Sequence, residues 1–180
     1  MSGIGYSVHN LTDIDSIDKI RKSLNEYVDQ HCGDDTAVPI IVAHVVVNSM
    51  PYTEFVEILN KLFEERIPVL LLGFKKVGRG KYAPFYELDE EQKKWLSDFI
   101  KEKTSRYYNV SIDVAFTKAF GDVIKEIDLV ENTLYVEEGK FTCCINAVNR
   151  TIMPSSYSEE EHPFDDGNYY HDLFEVYRTF

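Results

Sequence analysis

An α/β fold built from parallel βα units is what this sequence predicts, and three observations carry the prediction. Short β-rich runs alternate with segments of helical periodicity through the first 128 residues. Two of those runs are apolar almost throughout, as parallel strands covered on both faces are. The chain has 180 residues, 44% of them hydrophobic and 13% aromatic, so one domain can bury a sizeable core, and disordered, collagenous and low-complexity classes are excluded.

In order along the chain, Ile4-Gly5-Tyr6-Ser7-Val8-His9 reads as a strand stopped by Asn10. Residues 12–28 repeat Ile14, Ile17, Ile20, Leu24 and Val28 at helical spacing, which predicts an amphipathic helix. After Gly33-Asp34-Asp35, residues 39–47 form the first buried strand, and Phe55, Ile58, Leu59, Leu62 and Phe63 mark a second helix. Arg66-Ile67-Pro68 ends that helix and introduces a third strand over 69–74, which leads into the loop Lys75-Lys76-Val77-Gly78-Arg79-Gly80. Asp89 is positioned as the N-cap of a helix carrying Trp95, Phe99 and Ile100, and Val110-Ser111-Ile112-Asp113 is a fourth strand ending in an acid. From Thr133 the character changes. The run 141–148, the tight Asn149-Arg150 step and Thr151-Ile152-Met153 suggest a β-hairpin, followed by an acidic, aromatic tail over 157–180. No internal repeat and no Ser- or Pro-rich linker interrupts the chain, so residues 1–180 read as one domain, with βα units over 1–128 and the hairpin and tail over 129–180.

The segment from Val42-Ala43-His44-Val45-Val46 through Val69-Leu70-Leu71-Leu72-Gly73-Phe74-Lys75-Lys76-Val77-Gly78-Arg79-Gly80 resembles the middle-to-late strands of radical S-adenosylmethionine (radical SAM) proteins, in particular a phage- and plasmid-associated group. Val110-Ser111-Ile112-Asp113 is similar to the next strand of that group. Glu138-Gly139-Lys140-Phe141 through Met153-Pro154-Ser155-Ser156 resembles its terminal hairpin and Pro-Ser-Ser segment. The resemblance implies a partial (βα) barrel. The family's chemistry needs an N-terminal Cys-x3-Cys-x2-Cys loop holding a [4Fe–4S] cluster, and that motif is absent from these 180 residues. The resemblance therefore covers the C-terminal part of the barrel and implies no cofactor of this chain's own.

The cysteines do not replace that loop. Cys143 and Cys144 are adjacent on an expected strand, so their thiols point to opposite faces, and Cys32 is distant in sequence. Three cysteines make no complete disulfide framework, and with no leader-like segment the expected location is cytoplasmic. The apolar runs are too short for a membrane span. His9 and His44 fall on neighbouring strands, where they either pack in the protein or face a metal; no third ligand at a familiar spacing accompanies them, and no metal site is expected.

Two surfaces stand out. Lys75, Gly78, Arg79 and Gly80, with Lys76 and Lys81 beside them, form a basic glycine-bearing loop at a strand end, which either binds an anion or is a solvated loop, or is paired with the acidic tail. In the tail, Glu159, Glu160, Glu161, Asp165, Asp166, Tyr169 and Tyr170 either complete the core and its solvated face or form a partner surface. Asp113 is read as a cap or a solvated acid, and no catalytic residue is assigned: there is no Ser-His-Asp set, Walker loop or dinucleotide motif. Thirty-one Asp+Glu against 19 Lys+Arg give a formal charge of −12, which opposes direct nucleic-acid binding and favours a basic protein partner.

The functional expectation is a non-catalytic acidic protein-binding module derived from a radical-SAM-like barrel, in its most specific form a phage-type inhibitor of a nucleic-acid-binding defence protein, anti-CRISPR in kind. The alternative is the C-terminal portion of a split or truncated radical SAM enzyme that needs a cluster-bearing partner chain. An open half-barrel leaves strand edges to be covered by the tail, by a partner or by a homodimer.

Overall fold

A computed structural model describes residues 3–31, 38–105, 110–127, 143–154, 158 and 160–164. The chain divides into two units, residues 1–131 and 132–180.

The first unit runs β1 (Gly3–Ser7), α1 (Leu11–His31), β2 (Ile40–Val46), α2 (Tyr52–Glu64), β3 (Val69–Leu72), α3 (Glu90–Ser105), β4 (Val110–Ile112), α4 (Val114–Ala119) and α5 (Gly121–Ile127). The four strands are parallel and lie in the order β1-β2-β3-β4. In a sheet whose strands follow chain order, each right-handed crossover advances in the same direction and sets its helix on the same face. Burial agrees with that rule. Ile41, Ala43 and Val45 of β2 and Val69 and Leu71 of β3 are buried, in one cluster with Ile14 and Ile17 of α1, Phe55, Ile58, Leu59 and Leu62 of α2, Leu96 and Ile100 of α3, and Phe116, Val123 and Ile124 beyond β4. The opposite face carries Ile40, Val42, His44, Val46, Leu70 and Leu72, all half-buried. The expectation that β2 is buried on both faces is corrected by this pattern: its run is apolar on both sides, but only one side joins the core.

Local chemistry sets the helix starts. Asn10 Oδ1 accepts from the amides of Thr12 at 3.0 Å and Asp13 at 3.3 Å, while Asp13 Oδ2 accepts from the amides of His9 and Asn10, so α1 opens with reciprocal caps. Asp89 and Gln92 repeat the device at α3: the Gln92 amide donates to Asp89 Oδ1 at 2.9 Å and the Asp89 amide to Gln92 Oε1 at 3.2 Å. The core side of α2 matches the five apolar positions of its sequence pattern. Trp95 stacks on Phe99 with ring centres 5.0 Å apart and meets Tyr52 and Phe55 edge-on, joining α3 to α2. Burial pushes the Tyr52 phenol up, with Asp89 and Glu91 adding to the rise. Beyond the expected fourth strand lie two short helices, α4 and α5, an amphipathic pair broken at Phe120 whose few residues leave too short a period to be legible in the sequence.

In the second unit β5 (Cys144–Asn146), β6 (Thr151–Met153) and β7 (His162–Pro163) form an antiparallel sheet in that order. The expected hairpin is present with a shorter first strand. Its connection spans 147–150, where Asn146 Oδ1 accepts from the amides of Val148 and Asn149 at 3.1 Å each, and Arg150 has φ 54°. The third strand comes from the region read as tail, because His162-Pro163 has too few residues to leave a period. Residues 141–142, 155–157 and 165–180 lie outside the described residues. No described helix is long and apolar enough to cross a membrane.

Candidate functional site

Parallel strands in a singly wound sheet point their C-terminal ends to one edge, and the loops that follow supply side chains there. Here that edge holds a cleft of about 520 Å³ lined by His9 after β1, Val46 and Ser49 at the end of β2, Leu72, Gly73, Phe74 and Lys75 at the end of β3, Gly80 and Ala83 in the following loop, and Asp113 after β4. All four strand ends contribute.

Asp113 organises the floor. Its Oδ1 accepts from the Phe116 amide at 2.7 Å, capping α4, and from the Gly73 amide at 2.9 Å, tying the end of β3 to the start of that helix. The reading of Asp113 as a cap holds, and neither bond uses Oδ2. A Cβ at Gly73 would collide with the backbone of Ala115 and Phe116, so only glycine permits this close approach. Ser49 donates its hydroxyl to the Val46 carbonyl at 2.7 Å. The walls are therefore apolar, with an imidazole, a hydroxyl, an ammonium and a carboxylate at separate points, the usual composition of a small-molecule site.

The residues singled out from the sequence are distributed unevenly. Lys75 and Gly80 line the cleft; Gly78 is exposed with φ 53°, and Gly78–Lys81 forms a single 3-10 turn. The Gly80 amide donates to the Val77 carbonyl at 2.9 Å and is committed to that turn rather than to an anion. Nothing is described for the Arg79 side chain. His9 and His44 do not converge: His9 lines the cleft, while the His44 imidazole sits against Gly5 of β1, where any Cβ would strike it. Among the described residues no group of three His, Cys, Asp or Glu side chains is placed to hold a metal. Cys143 and Cys144 are both half-buried, Cys144 as the first residue of β5 and Cys143 just before it, a donor set that does not fit a three-thiolate cluster; Cys32 is outside the described residues. Of the partner-surface candidates, Glu160 and Glu161 are exposed, and Glu160 Oε1 lies 2.9 Å from His162 Nε2; Glu159, Asp165, Asp166, Tyr169 and Tyr170 lie outside the described residues.

Sequence reasoning did not single out Ser49, Phe74 or Ala83. The available signal was positional: each is within a few residues of a strand's C-terminal end or in the loop after it, and such residues line this edge whatever their type.

No family model matches the chain, and no curated protein matches it. Among solved structures it is similar to SuiB of Streptococcus suis bound to S-adenosylmethionine, at 14% identity over 96% of this chain and 41% of that one, with a TM-score of 0.47. A second crystal structure of SuiB aligns at 16% identity over 98% of this chain and 45% of the other, with a TM-score of 0.44. The chain thus spans less than half the length of these proteins.

Proposed function

We propose that this chain supplies the later βα units of a partial barrel of the radical SAM kind, and that it acts as a ligand-binding component completed by a cluster-bearing partner chain. The observation that carries the reading is the singly wound sheet: four parallel strands in chain order, one face in the core, and the strand-end residues His9, Ser49, Lys75 and Asp113 on one cleft. That is the arrangement by which barrels assemble a site from successive strand ends. The half-buried apolar face of Val42, Val46, Leu70 and Leu72 is the face a closing barrel turns inward. Lys75 lines this cleft at its exposed edge, beside apolar wall from Val46, Leu72 and Phe74, a setting that suits a ligand with an apolar body and an anionic end.

The test is affinity purification of the full chain from its native host, with co-purifying chains identified by mass spectrometry. A stoichiometric chain bearing Cys-x3-Cys-x2-Cys, retained by the natural sequence and lost with Leu72→Lys, supports the reading. Repeated recovery without any such chain rejects it.

A second reading is favoured by charge. With a formal charge of −12 and Glu160 and Glu161 exposed, the chain suits a basic protein, as an inhibitor of a nucleic-acid-binding defence protein of the anti-CRISPR kind would. Here the same purification returns a basic nuclease that is lost at high salt, and replacing Glu159, Glu160 and Glu161 by Lys weakens its capture. Unchanged capture rejects the tail as the interface.

A further inference from the structure

Asn48 follows β2 by two residues and holds a φ of 69°, a left-handed conformation that is uncommon outside glycine. Its carbonyl accepts from the Tyr86 amide at 2.9 Å, fastening the end of β2 to the loop before α3. The residue is 8% exposed, and its side-chain Oδ1 is buried with no hydrogen-bond partner. Buried acceptors in folded proteins are nearly always paired, so an unpaired one beside a cavity marks a place where a donor belongs.

Asn48 lines such a cavity, of about 300 Å³, between the loop over 74–88, the first turn of α3 and the junction of α4 with α5. It shares only Phe74 with the strand-end cleft. Phe74 and Phe120 supply apolar wall, and Lys76, Glu87 and Lys93 supply charges of both signs. The two lysines are not equivalent. Lys93 donates to Glu90 at 2.7 Å, and that bond, with the nearby charges of Glu90, Asp122 and Glu87, holds its ammonium above the ordinary range. Lys76 instead lies over the Phe85 ring at 3.8 Å, a contact readily exchanged for a carboxylate. The χ2 torsion of Asn is broad, so a donor entering the cavity can draw Oδ1 toward itself.

We propose that this cavity binds a free α-amino acid, its ammonium donating to Asn48 Oδ1 beside the Glu87 carboxylate, its carboxylate meeting Lys76, and its side chain resting on Phe74 and Phe120. The volume lies at the small end of ligand sites, which fits a molecule of that size. The site is independent of the ligand reading for the strand-end cleft.

Isothermal titration calorimetry of the full chain against each proteinogenic α-amino acid in millimolar excess tests it. The expected result is saturable binding of at least one, weakened about tenfold or more when either its amino group is acetylated or its carboxylate removed, since each analogue loses one charge-assisted bond. Asn48→Gly keeps the left-handed backbone and removes the carboxamide, and Lys76→Gln removes the charge at an exposed position; each should weaken binding about tenfold. Lys75→Ala in the other cleft should leave it unchanged, so failure here and failure of the cleft reading are separable. Absence of binding by every amino acid, which would leave water as the only occupant, overturns the proposal, as does binding indifferent to Lys76→Gln or to acetylation.

Discussion

Asp113 shows how one side chain joins three elements. Its Oδ1 takes two amide donors, one at the start of α4 and one at the end of β3, and so fixes the floor of the cleft. Asp113→Ala should cost about 1–2 kcal/mol, the upper range for losing a helix cap, because two donors are left. Asp113→Asn, whose carboxamide oxygen still accepts, should cost less. Urea unfolding of the three proteins checks the order. Gly73→Ala tests the same junction from the other side. The added methyl meets the backbone of Ala115 and Phe116, which cannot swing away as a side chain would, so a loss of about 1–3 kcal/mol is expected in the same assay.

At the level of elements, capping residues set where α1 and α3 begin, and the two members of each pair lie only three residues apart. Asp89→Ala removes one half of the α3 box and should lower stability by about 1 kcal/mol, read as a fall in urea midpoint without a change in slope. Between α1 and α2 the exposed pair Asp15–Lys61, at 2.7 Å, gives a pH signature. The hydrogen bond from Lys61, with its charge, holds the Asp15 carboxyl below its ordinary 3.8, and the bond to Asp15 holds the Lys61 ammonium above 10.5. The Asp15 contribution is therefore present above pH 3.8 and fades as pH falls through the folded value. The Lys61 contribution is present below pH 10.5 and fades as pH rises through the folded value. Both groups are solvent-exposed, so the effect is small and screened by salt. An NMR titration of the Asp15 carboxyl should give a midpoint below 3.8 that rises toward it in Lys61→Met and at high salt.

At the scale of the whole molecule, the two faces of the sheet differ in burial, and the proposed completing chain would meet the less buried one. Leu71 is fully buried and Leu72, its neighbour on β3, is half-buried on the other face. Leu71→Ala should cost about 2–5 kcal/mol. Leu72→Ala should cost less than half as much while weakening capture of a completing chain, a split that unfolding and binding measurements together resolve. Much of this plan is written in the sequence. The four strands of the first unit, the positions of α1 to α3 and the five core residues of α2 are legible because apolar spacing and capping residues act over a few positions. So is the role of Asp113, from its place at a strand end. The half-covered face of β2 is not legible, since an apolar residue reads alike whether a helix covers it or not. Neither is the third strand of the second sheet, which is only two residues long and takes its conformation from its partner β6. The cleft and the unpaired Asn48 Oδ1 likewise arise from loops far apart in sequence. The sequence determined the βα alternation and its caps, because those rest on local periodicity and hydrogen bonding. Only the tertiary structure decided which face joined the core and which stayed half-buried, and which side chains met at the strand ends, because both depend on the order in which the strands pair.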